Sequence, residues 1–151
     1  MTVQQTLAEL VAIDSVSSRS NQSVISYLRQ RCESCGLSVQ TFPHVDERGE
    51  TKINLVARSS NSSEFELVLV GHTDTVPYDS AWSEALNLTE REGKLFGRGA
   101  CDTKAFIAAA LTAIPSIDLA RLKQPLALVF TSDEEIGCLG AKRLAAARPF
   151  T

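Results

Sequence analysis

Apolar residues recur along this chain in two rhythms, and each change of rhythm marks an element. Over residues 3 to 13 (VQQTLAELVAI) the spacing predicts a helix with Val3, Leu7, Leu10 and Val11 on one face. The polar run Asp14 to Asn21 breaks it. A second amphipathic helix is expected from about Gln22 to Cys35, with Val24, Ile25, Leu28 and Cys32 inward and Gly36 as its C-cap. Alternation then takes over in LSVQTFPHV and, after the turn residues Asp46 to Gly49, in KINLVAR, which predicts two neighbouring strands. Residues 59–65, SSNSSEF, read as a polar connection. Leu67 to Val70 is an unbroken run of β-formers, expected to be a strand buried on both faces. LNLTEREGKLFGRG predicts two short strands around Glu92-Gly93. TKAFIAAALTAI predicts a helix burying Phe106, Ile107, Ala110, Leu111 and Ile114, stopped by Pro115. Pro125 opens another buried strand, LALVFT, and a last helix is expected over about Leu139 to Ala147.

The order αα, ββ, β, α, β, α argues for an α/β fold in which a mixed, mostly parallel sheet is flanked by helices. Ligands of such sheets collect beyond the carboxyl ends of the strands. That rule selects His72 and Asp74 after one strand and Glu134 and Glu135 after another, and Asp102 lies in a loop entering a helix.

Composition narrows the classes. At 151 residues, 44% hydrophobic and 22% charged, the chain is long enough for one domain with a sizeable core. A net charge of -3 with scattered basic residues leaves no nucleic-acid footprint. No apolar run approaches the ~20 residues that span a bilayer, and the N-terminus lacks a signal-peptide pattern, so no membrane partner is expected and the cytoplasm is the expected compartment. Four cysteines, Cys32, Cys35, Cys101 and Cys138, suit that compartment as free thiols. The Cys32-to-Cys35 pair closes a helix instead of opening one, which favours burial over redox chemistry.

Taken singly, each candidate has a plain structural reading. His72 could be a hydrogen-bonded loop residue, Asp102 an N-cap, and Glu134 and Glu135 solvated charges. Together they are metal-ligand types with a division of labour. A ligating imidazole usually donates its second nitrogen to a supporting carboxylate, a place Asp74 suits. A carboxylate such as Asp102 can bridge two metal ions that share an activated water. On an extended backbone Glu134 and Glu135 would point to opposite sides, one to the metal and the other to the water as general base.

The blocks GHTDTVP (71–77), GKLFGRGACDTKA (93–105) and TSDEEIGCLGAKRL (131–144), in this order and spacing, resemble the M20 family of dinuclear zinc aminoacylases and peptidases. The resemblance implies the fold of a zinc-exopeptidase (phosphorylase/hydrolase-like) catalytic domain. It implies His72, Asp102 and Glu135 as metal ligands, with Asp102 bridging, and Asp74 and Glu134 as catalytic residues, Asp74 orienting His72 and Glu134 moving the proton. The cofactor implied is zinc, two ions in a complete enzyme, with cobalt as a possible substitute. A cis peptide bond is implied at Asp102-Thr103. Ala105 departs from the glycine common in the family and should tighten packing there.

The implied reaction is removal of the acyl group from an N-acyl amino acid, N-acetylornithine in arginine biosynthesis before all others. A succinylated diaminopimelate or a peptide C-terminus would use the same five residues. Three family features have no match here: a further acidic ligand, a late histidine, and an inserted lid domain for dimerisation. Residues 1–151 are therefore expected to be the N-terminal part of the metal-binding catalytic domain, inactive alone and prone to self-associate through an exposed sheet edge. His44, after Pro43, reads as a surface residue.

Overall fold

Thr2 opens the first helix with a reciprocal cap: its hydroxyl accepts from the Gln5 N–H while the Gln5 side chain accepts from the Thr2 N–H. The computed structural model describes residues 1–62 and 64–150; Ser63, within the expected polar connection, lies outside them. Helix α1 spans Val3–Ala12 and buries Thr6, Leu7, Leu10 and Val11. Val3, expected inward, is 44% exposed, and Thr6 takes the inward place, its hydroxyl 3.3 Å from that of Thr112. Helix α2, Gln22–Ser34, buries Val24, Ile25, Leu28 and Cys32 as its spacing predicts.

The main sheet is built from β1 (Ser38–Val45), β2 (Thr51–Arg58), β3 (Leu67–His72) and β6 (Leu126–Thr131), in the order β1-β2-β6-β3. It is mixed, but the expectation of mostly parallel pairing is corrected. β1 with β2 and β2 with β6 are antiparallel, and β3 with β6 is parallel. The short turn Asp46 to Gly49 allows only a hairpin, and β6 slots between that hairpin and β3. Strands β4 (Thr89–Arg91) and β5 (Lys94–Phe96) form a separate small hairpin, with Glu92 and Gly93 both at positive φ in its two-residue turn.

Helices cover both faces. Leu55, Ala57, Leu128 and Phe130 pack with α1, α2 and α3 (Ala105–Ala113) on one side, while Val56 and Val129 meet Leu144 of α4 (Leu139–Ala146) on the other. β6 is buried at every position. β3 is not, contrary to expectation: it lies at the end of the sheet order, and Leu67, Val68 and Val70 are 49%, 37% and 57% exposed. Phe106 of α3 is likewise part-exposed at 37%, with Ala108 buried in its stead.

Two further features carry the site. Residues Ala100–Lys104 form a wide helical turn before α3, and the Asp102-Thr103 peptide bond is cis. At the start of α4, a Cβ on Gly140 would lie 2.2 Å from the Ser132 carbonyl oxygen, so only glycine lets the helix sit against the end of β6. No helix among the described residues is long and apolar enough to cross a membrane.

Candidate metal centre

Parallel pairing brings the carboxyl ends of β3 and β6 together, with His72 opposite Thr131 in the last register position. The chain beyond each strand therefore opens onto the same edge. There the structure gathers all five sequence-selected residues. Ligand atoms of His72, Glu134 and Glu135 lie within 4.8 Å of one another. Asp102 approaches from the turn before α3, its Oδ1 2.9 Å from His72 Nε2, and Glu134 Oε2 lies 3.7 Å from the same nitrogen. The N-cap reading of Asp102 is thereby set aside: α3 starts later, at Ala105, without a side-chain cap.

His72 is held by its other nitrogen. Nδ1 lies 2.9 Å from the Asp74 backbone oxygen and 3.6 Å from Asp74 Oδ1, so the short contact from Asp74 is its carbonyl and not its carboxylate. The buried Asp74 carboxylate has other partners. It accepts from the Ser17 hydroxyl at 2.7 Å and from the backbone N–H groups of Glu134 and Glu135 at 3.0 and 3.2 Å. Asp74 thus fixes both the histidine and the glutamate turn.

Glu134 and Glu135 do not diverge as an extended backbone would make them. Asp133 has φ 54°, and the N–H groups of Gly137 and Cys138 close onto the Glu134 carbonyl, so the segment is a tight turn that delivers both side chains toward His72.

Burial alone would lower the His72 pKa, but hydrogen bonds to Asp74 and Asp102 outweigh it and raise it to about 9. For Glu135, burial and then the Asp102 charge raise the carboxyl. Three carboxylates thus converge on one imidazole at a half-open edge. Carboxylate oxygens with one neutral imidazole nitrogen are a donor set that suits zinc or cobalt, and a bound cation would offset the like charges. The residues present fit such an ion. Asp102 and Glu135 also line a cavity of about 240 Å³ with Thr75, Val76, Arg98 and Cys101. A larger hollow of about 450 Å³ beside Gln40, Arg58 and Phe150 holds no such cluster.

A sequence profile of peptidase family M20/M25/M40 matches residues 68–150, the stretch that contains all five residues. The chain belongs to this family. Among its M20 relatives, an acetylornithine deacetylase of Myxococcus xanthus is 49% identical over 147 residues, covering 96% of this chain and 38% of the relative. One from Proteus mirabilis (strain HI4320) is 40% identical over 137 residues, covering 89% of this chain and 35% of the relative. This M20 chain therefore spans little more than a third of the length of either. Its fold matches human carnosine dipeptidase 1 with a TM-score of 0.82 at 23% identity, over 98% of this chain and 36% of that one. It also matches the M20 metallo-carboxypeptidase Sso-CP2 of Sulfolobus solfataricus, with a TM-score of 0.76 at 23% identity, over 96% and 34% of the two chains.

Several residues that hold the site escape sequence reasoning. Ser17 and Asn21 lie in the segment read only as a break after α1. Asn21 accepts from the Ile53 N–H and donates to Thr73 Oγ1 at 3.0 Å. Asn54 accepts from the Ser132 N–H and donates to the Gly140 carbonyl, tying β2 to the site turn. His44 is not at the surface: its side chain is 11% exposed and its Nε2 lies 3.9 Å from Asp133. Burial, then Arg143, pushes its pKa down. Cys32 is buried with its thiol pushed up to about 12 by burial, so Cys32 is a poor nucleophile.

Proposed function

We propose that this chain carries most of the metal-binding half of an amidohydrolase site that removes the acyl group from an N-acyl amino acid, with N-acetylornithine as substrate. The observation that carries the reading is the convergence of His72, Glu134 and Glu135 within 4.8 Å, with Asp102 at 2.9 Å from His72. The substrate assignment rests on likeness to relatives named acetylornithine deacetylase.

In this reading His72, Asp102 and Glu135 would hold the metal, zinc by preference, and Asp102 would also serve a second ion. Bound metal would supply Lewis-acid activation of water and of the acyl carbonyl. His72 offers Nε2 once it has lost its proton, and the Asp74 carbonyl keeps the ring oriented. Glu134 takes a proton from the attacking water and returns it to the departing amine. Asp74 keeps Glu134 and Glu135 in place through their backbone N–H groups.

Catalytic zinc usually has three protein ligands and a water. His72, Asp102 and Glu135 fall short of that for two ions, so the 151-residue chain alone is expected to bind metal without turnover. Two measurements test the reading. Calorimetric titration with zinc should give saturable binding that His72→Ala weakens by at least about tenfold; equal affinity in the variant would remove His72 from the site. A version extended to the length of the M. xanthus relative should hydrolyse N-acetylornithine faster than N-succinyl-diaminopimelate, and the reverse order would overturn the substrate assignment.

A further inference from the structure

Behind the glutamate turn lies a buried charge that the proposed chemistry does not use. Lys52 on β2 and Asp133 are each 1% exposed, and Lys52 Nζ lies 3.1 Å from Asp133 Oδ1. Nζ also donates to the carbonyls of Ser17 and Arg19, at 2.6 and 2.7 Å. Two ammonium hydrogens therefore have carbonyl acceptors, and the remaining charge is met by the Asp133 carboxylate as an ion pair. Neither Asp133 oxygen accepts a hydrogen bond of good geometry among the described residues, so the ion pair is what makes that carboxylate's burial tolerable.

The contacts close into a ring. Lys52 holds the Ser17 carbonyl, the Ser17 hydroxyl donates to Asp74, Asp74 accepts from the N–H groups of Glu134 and Glu135, and Asp133 returns the chain to Lys52. β2 supplies this lysine because it runs antiparallel to β6, which places its early residues beneath the end of β6. The glutamate turn is thus gripped from both sides, at Asp133 by charge and at its next two amides by hydrogen bonds.

We infer that Lys52 and Ser17 are positioning residues for the Glu134–Glu135 turn, holding both carboxylates against His72 before any cation arrives. The inference rests on the proposed metal-site reading. Its distinguishing feature is locality: a pair that merely stabilised the fold would, when removed, loosen the whole sheet, whereas a positioning ring loosens the turn.

The test compares the chain with Lys52→Met and Ser17→Ala by residue-resolved amide hydrogen exchange without metal, and by cobalt(II) titration followed in the visible spectrum. Ser17→Ala keeps the carbonyl that Lys52 needs and decides the matter should Lys52→Met not fold. In the variants the amides of Glu134 and Glu135 should exchange about tenfold faster or more, while that of Leu128 in β6 stays protected. Cobalt affinity should fall by about 10- to 100-fold with an altered absorption band. Unchanged exchange at Glu134 and Glu135, or acceleration shared equally by Leu128, overturns the inference. Absence of cobalt binding by the unsubstituted chain would instead sink the metal-site reading, and the exchange comparison would still decide the positioning role.

Discussion

Metal capture at this site should expel a proton, because His72 cannot ligate through Nε2 while that nitrogen is protonated. With a pKa of about 9, set by Asp74 and Asp102 against the opposing effect of burial, His72 is almost wholly imidazolium at neutral pH. At pH 7 the ion must displace a proton held roughly two pH units below its pKa, a penalty of about 3 kcal/mol or about 100-fold in affinity. Each unit of pH gained up to about 9 should recover about tenfold. Between pH 6.5 and 8, where zinc stays soluble, affinity should therefore rise by about 30-fold. Calorimetry at pH 7 in buffers of differing ionisation enthalpy should report release of about one proton per ion. Affinity flat across that range, with no proton released, would show that His72 is neutral in the free protein or is not a ligand.

Two other outcomes follow from geometry already described. Asp74→Asn replaces one acceptor oxygen by an N–H₂ group that faces a backbone N–H, so urea unfolding at pH 7 should show a loss of about 1–3 kcal/mol. Burial alone would raise the Asp74 carboxyl, but the nearby His72 imidazole and hydrogen bonds from Glu134, Ser17 and Glu135 hold it below the usual range; its contribution is present above the unfolded value of ~3.9 and lost as pH falls through the folded one, so the gap should close in acid. Were copies of the chain to associate along β3, Val70, 57% exposed there, would be covered by the contact, and Val70→Lys should shift a concentration-dependent sedimentation profile toward monomer. A parent chain that stays monomeric at every concentration would refute the second of these.

The elements were legible because their hydrophobic periods are clean, α2 and β6 above all. Burial was less so. Leu67 to Val70 reads as a doubly covered strand because composition reports what a strand can bury, not whether a neighbour is present, and β3 has β6 on one side alone among the described residues. The sequence singles out five candidate residues through their places beyond strand ends and in motif blocks, and the structure brings them together. Their supports were not legible. Ser17 and Asn21 look like ordinary loop polars, and Lys52 like a solvated strand residue. One signal was available: strand parity puts Lys52 and Asn54 on the same face as Val56, an odd place for a charge unless something buried awaits it. The direction of Glu134 and Glu135 was beyond reach, since it depends on one left-handed residue, Asp133.

The pairing of β3 with β6 also fixes when the site can exist. Asp74 and Glu134 are 60 residues apart in the chain and meet where β6 lies beside β3. Loop closure on that scale is among the slow, entropically costly steps of folding. Before β3 and β6 pair, nothing holds His72 beside the glutamates, so an ion meets at most part of its site. Metal should accordingly leave the refolding rate unchanged and slow unfolding instead, protecting the finished sheet without guiding its assembly.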